Sequence, residues 1–207
     1  MMSKIFYTFL IAALLLFQNC GGRKTEKKTT EIEPTIEEVA KDSTYLKSDI
    51  DSYADSGLLS KLPVRDFPII DSTRFESFEK YGIRDNDFLK RIKFDAGHAN
   101  ATNFRINYRV PFSENFGTVV ISYQSGEHEL FTTMITIDKH NKIIDKLDIS
   151  YDEIAESAFS KTGKIEKHKI TVISNNWMNE VPVFESETYI LDNNGKFKKI
   201  QTDPRSQ

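Results

Sequence analysis

From Asn103 onward, apolar and polar residues alternate along most of the chain. In the first such segment, Phe104, Ile106, Tyr108 and Val110 fall on one face, and a period of two is typical of a half-buried β-strand. Six further segments show strand-like apolar patterns: residues 117–124, 129–138, 142–149, 165–174, 181–191 and 196–201.

Short turn sequences separate these segments, and the clearest is Asp192-Asn193-Asn194-Gly195. Because Asn and Gly tolerate positive φ, this stretch predicts a hairpin. Seven short strands with short connections favour a mainly β (α+β) fold, an antiparallel β-meander in a curved sheet or a partial barrel. Residues 151–160 interrupt the pattern, and we expect a loop or one helical turn there.

The N-terminal part of the domain has a helical rather than an alternating pattern. Residues 44–62 place apolar side chains roughly on one helical face, with Ser43 as a possible cap. Asp85 can cap a second, short helix that carries Phe88 and Leu89. The sequence therefore predicts one or two N-terminal helices, separated by a Pro-containing extended passage.

The chain starts with a basic residue, Lys4, followed by a 13-residue apolar run at positions 5–17. A membrane-spanning helix needs about 20 apolar residues, so this run fits a secretion signal better. The stretch LLLFQNCGG ends it and contains Cys20, which is the single Cys of the chain. One Cys also excludes an intramolecular disulfide.

This stretch resembles the signal of bacterial lipoproteins, although Asn19 stands where a small residue is usual. The resemblance implies cleavage after residue 19 and attachment of lipid, including a palmitate-type chain, to Cys20. The protein would then be held on a membrane by its lipid anchor. The alternative is an uncleaved signal anchor in which Cys20 is incidental.

Residues 20–43 are polar and charged, which predicts a flexible tether before a single globular domain at 44–203. Basic residues come first in this tether and acidic residues follow. In bacteroidete-type lipoproteins, acidic residues directly after the Cys resemble a signal for export to the cell surface. We therefore expect this protein to face the periplasm.

The segments KLPVRDFPII, GTVVISYQ, ELFTTMITIDKHNKIIDKLDIS and ETYILDNNGKFKKI follow one another along residues 61–200. In this order they are similar to a group of small bacteroidete lipoproteins of unknown function. The resemblance implies a location in the cell envelope and a style of fold, but no activity and no catalytic residues.

The composition narrows the classes of partner. The net charge is −3, with 28 basic and 31 acidic residues, and no basic stripe indicates nucleic acid. The 39% apolar content is enough for a core. No Gly-rich phosphate loop occurs, so we expect no cofactor, and no His pair has the spacing of metal ligands.

One strand carries the candidate binding residues. Arg105, Asn107 and Arg109 alternate with the apolar positions of residues 103–110 and can hydrogen-bond a carbohydrate or an anion. The other interpretation is a solvated sheet face. Trp177, in a predicted turn, is a possible partner contact, or it can fold back onto the core.

Three short motifs invite an enzymatic interpretation. Residues 77–80 (SFEK), 113–115 (SEN) and 161–163 (KTG) resemble, in order, the motifs of penicillin-binding proteins. We expect them to be coincidental, because residues 161–163 look like a turn and too few residues separate the first two motifs. No catalytic residues are therefore predicted.

Two Asp-Ser-Thr triplets, centred on Ser43 and Ser72, resemble the acceptor of O-linked sugar in exported proteins of that bacterial group. Overall, we expect a lipid-anchored envelope protein, a binding or structural module with an unknown envelope protein or ligand as partner. The alternative is a small periplasmic hydrolase. Ser, His and Asp side chains converging in a pocket would favour it.

Overall fold

The computed structural model describes residues 56–154, 158–178 and 180–206. Cys20, Ser43, the tether and most of the helix predicted at 44–62 lie outside the described residues. Within the described part of the chain, no helix is long and apolar enough to cross a membrane.

The described residues form short helices and longer strands, numbered here in chain order. The helices are α1 (Ser56–Leu59), α2 (Phe75–Phe78) and α3 (Asn86–Arg91). The strands are β1 (Ile69–Asp71), β2 (Ala101–Arg109), β3 (Gly117–Ser125), β4 (Glu129–Ile137), β5 (Ile143–Glu153), β6 (Phe159–Glu166), β7 (Lys169–Asn176), β8 (Val183–Leu191) and β9 (Phe197–Ser206).

The strands form one antiparallel sheet in the order β2 to β9, with β1 pairing with β6 off this path. The sheet does not close into a barrel. The prediction of a mainly β, antiparallel meander is confirmed, and so is the last hairpin, in which the Asp192 carboxylate accepts from the backbone N–H groups of Asn194 and Lys196. Asp85 caps α3 as predicted, accepting from the Phe88 N–H at 2.8 Å.

Two strands differ from the prediction. Residues 165–174 are not one strand: they contain the end of β6, a turn at Lys167 and His168, and most of β7. The segment 161–163, expected to be a turn, lies inside β6. The polar sequence of this segment does not show the apolar alternation typical of a strand. β6 forms because it pairs with three other strands, β1, β5 and β7.

Strand β2 changes faces halfway along. A register shift between Ile106 and Tyr108 inserts Asn107 as an extra residue opposite β3. Ile106 therefore packs in the cluster beneath the helices, whereas Tyr108 and Val110 pack in the other core cluster. The prediction that these alternating apolar residues share one face is wrong for this reason.

The central strands are buried on both faces. One face packs against the helices through residues such as Phe88, Ile121 and Ile135. The opposite face packs against β6 and β7 through Val120, Met134 and Ile165, among others. This double burial explains the nearly continuous apolar and small-polar sequence of β3 and β4.

Strands β5 and β6 touch at one residue pair, Tyr151 with Lys161, and then separate. Beyond that point β1 takes the free edge of β6, with Asp71 opposite Gly163. A Cβ atom on Gly163 would lie 2.8 Å from the Ile149 carbonyl oxygen, so this close approach requires glycine. The insertion of β1 carries the segment after it across the sheet.

Candidate functional site

The outer edge of β2 is covered by the preceding chain at two points. Ile83 and Ile106 exchange backbone hydrogen bonds of 2.8 and 2.9 Å. Further along, the Arg109 N–H donates to the Pro63 carbonyl oxygen, and the Arg65 N–H donates to the Arg109 carbonyl oxygen. A cleft of about 420 Å³ opens between these points, at the bulge in β2.

A buried carboxylate lies in the wall of this cleft. Asp71, at the end of β1, accepts a hydrogen bond of 2.6 Å from the Tyr108 hydroxyl and one of 2.9 Å from the Thr73 hydroxyl. Burial, and then the neighbouring Asp71 carboxylate, raises the pKa of Tyr108 far above its usual value. Tyr108 therefore stays protonated and remains a donor to Asp71.

A row of hydroxyl groups extends from Thr73 across β4 and β3. The Thr73 and Thr132 hydroxyl oxygens are 2.5 Å apart, and those of Thr132 and Ser122 are 2.7 Å apart. The Asn107 amide nitrogen donates to the Ser122 hydroxyl at 2.6 Å. We call this set of residues the Asp71 network: Asp71, Thr73, Thr132, Ser122, Asn107 and Tyr108.

The Asp71 carboxylate at one end of this row fixes which group donates in each of its hydrogen bonds. An ionised carboxylate only accepts, so Thr73 gives its proton to Asp71. Thr132 must then donate to Thr73, and Ser122 must donate to Thr132. Ser122 is left with its lone pairs, which requires the nitrogen rather than the oxygen of the Asn107 amide to face it. The row ends at an amide that lines the cleft.

Cationic and aromatic side chains surround the cleft. The Arg65 guanidinium lies 4.3 Å from the centre of the Tyr108 ring, and Lys61 lines the same opening. Both side chains are exposed. Tyr81 is 63% exposed at the rim, next to Ser77, whose hydroxyl donates to the Arg74 carbonyl oxygen at 3.2 Å.

Gly82 lets the chain approach β2 closely. Its φ is +79°, and an added Cβ would overlap the Oδ1 atom of Asn107. This contact places the Asn107 carbonyl oxygen against the backbone. The Asn107 oxygen therefore faces Gly82 while its nitrogen faces Ser122, which agrees with the direction of the hydrogen bonds in the row.

The structure separates the three predicted residues of β2. Asn107 lines the cleft, whereas Arg105 lies beside it, with its guanidinium 5.9 Å from the ring centre of Phe78. The Arg109 backbone pairs with Pro63 and Arg65, which holds the segment that carries Arg65 against the end of β2. The predicted polar row is thus divided by the bulge that moves Tyr108 to the opposite face.

Trp177 belongs to a second cleft of about 450 Å³, which shares Ser72 and Thr73 with the first. Trp177 is 54% exposed, and its ring packs edge-on against Phe184, with 5.3 Å between ring centres. Ser72 is exposed between two residues of the Asp71 network. Sugar attachment at Ser72 stays a prediction.

A second polar cluster lies on the helix side of the sheet, and we call it the His98 cluster. His98 Nδ1 is 2.8 Å from the Tyr123 hydroxyl, which is 3.2 Å from the Thr133 hydroxyl. Thr133 donates to Asp148 at 2.5 Å. Burial raises the pKa of Tyr123 to about 12, and the His98 ring stacks on Phe131.

The His98 cluster does not have the geometry of a hydrolytic triad. Thr133 is 1% exposed and gives its proton to Asp148 rather than to His98. The His98 Nε2 atom is 3.9 Å from the Asp148 carboxylate, beyond hydrogen-bond distance. Among the described residues, no group of three or more His, Cys, Asp or Glu is placed to hold a metal ion.

Sequence reasoning identified Asn107 but missed most of the Asp71 network. A signal was present: Ser122 and Thr132 are polar residues inside two strands that are otherwise suitable for double burial. Polar groups in such positions need hydrogen-bond partners. Thr132 meets its partner Thr73 across 59 residues of sequence, which hides the connection to Asp71.

No protein-family model, curated protein or solved structure matches this chain.

Proposed function

We propose that this protein is a lipid-anchored module of the bacterial cell envelope that binds a small polar ligand without catalysing a reaction. The cleft beside the β2 bulge is the proposed binding site. The observation that carries the proposal is the Asp71 network, which holds the polar wall of an open cleft in one hydrogen-bonded arrangement.

A wall fixed in this way is suited to binding. Thr132 and Ser122 are buried, and their hydroxyl groups are held on both sides by neighbours. The Thr73 N–H donates to the Ser150 hydroxyl at 2.9 Å, which attaches the segment after β1 to β5. A ligand would meet groups that are already oriented, so little entropy is lost on binding.

The same arrangement favours binding over catalysis. A nucleophilic hydroxyl needs a base that is available to take its proton. Thr73 donates to Asp71 and accepts from Thr132, and the Asp71 carboxylate also accepts from Tyr108. The hydroxyl protons of Thr73, Thr132 and Ser122 are therefore already used within the Asp71 network.

The leader supports the location. Lipid on Cys20 would give the mature protein its membrane attachment, since more than one acyl chain is needed for a stable anchor. A flexible tether over residues 20–43 would span roughly 25 Å root-mean-square, which leaves the domain close to the bilayer surface. We expect the domain to face the periplasm.

Native mass spectrometry of the protein purified from its own cell envelopes tests the proposed function. We expect a bound ligand in the wild type, and loss of that ligand in Ser72→Trp, because the indole would fill the junction of the two clefts. Lys139→Trp, at the exposed β4–β5 turn, is the control and should keep the ligand. A ligand-free wild type, or equal occupancy in both variants, would contradict the proposal.

The anchor has a separate test. Metabolic labelling with an alkyne fatty acid should mark the wild type, and Cys20→Ser should remove both the label and the membrane attachment. Unchanged sedimentation of Cys20→Ser with membranes would favour the uncleaved signal anchor instead.

A further inference from the structure

Resting on the proposed function, we infer that the cleft takes an anionic sugar, a hydroxylated ring that carries a carboxylate. The charged groups of the cleft favour an anion. Lys61, Arg65 and Asp71 are the charged residues that line the cleft. Asp71 is buried and already accepts two hydrogen bonds, whereas both cations are exposed at the opening.

The Asp71 network adds a directed donor to these cations. Each hydroxyl in the row donates towards Asp71, and hydrogen bonds in such a row polarise one another. At the end of the row that faces the cleft, the Asn107 amide nitrogen carries two protons and donates one of them to Ser122. The second proton belongs to a group that lines the cleft, so an acceptor on the ligand completes the row.

Arg65 is held in position for the same ligand. Its guanidinium lies over the Tyr108 ring, and Tyr108 is fixed by its bond to Asp71. A guanidinium placed in this way can bind a carboxylate with two parallel hydrogen bonds. Lys61, an exposed ammonium at the same opening, adds a second positive charge.

The other walls indicate a ring with hydroxyl groups. A volume of about 420 Å³ is larger than a carboxylate alone requires. Tyr81 offers an exposed aromatic face, and Phe78 and Ile83 line the apolar side. Because Ser77 uses its proton on the Arg74 carbonyl oxygen, its own oxygen can accept from a ligand hydroxyl.

Isothermal titration calorimetry on the full chain in detergent tests this inference, with glucuronate, glucose and acetate as probes at equal ionic strength. We expect glucuronate to bind at least about tenfold more tightly than glucose, as expected for a hydrogen-bonded charge. It should also bind more tightly than acetate, which lacks the ring. Glucose binding as tightly as glucuronate, or no heat with glucuronate, would overturn the inference.

Charge variants locate the effect. The double variant Lys61→Gln/Arg65→Gln should weaken glucuronate binding at least about tenfold. Lys139→Gln/Lys142→Gln removes the same charge from an exposed turn and should bind as the wild type does. Equal affinities of the two double variants would show that the cleft cations do not bind the acid.

One variant tests the directed row without touching the cleft. Thr132→Val breaks the row, and we expect glucuronate affinity to fall about threefold or more as polarisation is lost. Thr136→Val is the matched control, because Thr136 is buried in the same strand but donates to the Gly195 carbonyl oxygen. Equal affinities in the two variants, with both folded by circular dichroism, would contradict the role of the row.

The failure of this inference is distinguishable from failure of the proposed function. A neutral ligand found by native mass spectrometry, and lost in Ser72→Trp, would leave the binding module standing and overturn the anionic sugar.

Discussion

The Asp71 network and the His98 cluster use the same chemical groups on opposite sides of one sheet. Each joins a buried tyrosine, a threonine and an aspartate. In the first, the tyrosine hydroxyl donates to the carboxylate and the row leads to an open cleft. In the second, the tyrosine contacts His98, and an aromatic stack covers the group.

The difference comes from the backbone that covers each side. The helix side is closed by the segment that ends in His98, with Tyr123 held by the Ala96 carbonyl oxygen at 3.1 Å. On the other side, the chain pairs with β2 at two separate points, through Pro63 and Arg65 before β1 and through Ile83 after it, and leaves the bulge of β2 open. Similar side chains thus lie in a covered cluster in one place and in the wall of an open cleft in the other.

Replacing the central carboxylate should have the largest effect. In Asp71→Asn, the amide nitrogen would face a donor, either Tyr108 or Thr73, and a buried hydroxyl would lose its acceptor. We expect the free energy of unfolding in urea to fall by about 2–4 kcal/mol.

The counterpart in the His98 cluster is the control for this prediction. The Asp148 side chain is 37% exposed, so water can replace its lost hydrogen bond. Asp148→Asn should therefore cost about 1 kcal/mol or less. Equal losses in the two variants would show that the Asp71 carboxylate contributes no more to the free energy of unfolding than the Asp148 carboxylate does.

Two glycines test how closely the covering segment approaches β2. Gly82 and Gly126 both have positive φ, but only Gly82 has atoms within 4 Å of an added Cβ. Gly126→Ala should cost about 1 kcal/mol for the strained backbone alone. Gly82→Ala should cost about 2–3 kcal/mol, because the methyl group also displaces Asn107.

Thermal and urea unfolding of the two variants measures this difference. Equal destabilisation would mean that Asn107 moves aside freely, and the close packing of its amide would then not orient it. A larger loss in Gly82→Ala would support a wall that cannot adapt.

The dependence of stability on alkaline pH should differ between the contributions of Tyr108 and Tyr123. Both have native pKa values raised by burial above the usual value of 10, Tyr123 to about 12 and Tyr108 further still. Because the protonated phenol is the native form, its contribution to stability is complete below pH 10 and is lost as the pH rises. The loss should approach about 1.4 kcal/mol per pH unit for each phenol.

Urea unfolding at a series of pH values checks this. Tyr123→Phe should reduce the slope only between pH 10 and about 12, whereas Tyr108→Phe should reduce it beyond that range as well. Identical slopes for Tyr108→Phe and the wild type would contradict the buried hydrogen bond to Asp71.

The sequence predicts the sheet well where its signals are local. Alternation and turn residues identify β2 to β4 and the last hairpin, and Asp85 identifies the start of α3. Strand β6 is missed because its pairing depends on β1 and β7 rather than on its own polar sequence.

The site is less predictable because its contacts are long-range. Asn107 stands out as a polar residue in a strand, but the extra residue it contributes to the bulge reverses the face of everything after it. Asp71 meets Tyr108 across 37 residues, and Thr73 meets Thr132 across 59. No pattern within one segment indicates that these groups lie together.

The smallest effect is expected at the exposed end of the second cleft. The Trp177 ring packs edge-on against Phe184 and is more than half exposed, so Trp177→Ala should cost only about 0.5–1 kcal/mol. Ile200→Ala, at another exposed apolar side chain in β9, is the reference and should change stability by less than about 0.5 kcal/mol. Glucuronate affinity measured on the same samples should equal that of the wild type in both variants. A fall in affinity confined to Trp177→Ala would instead show that the ligand extends past Ser72 into the second cleft, so that binding is not restricted to the Asp71 side.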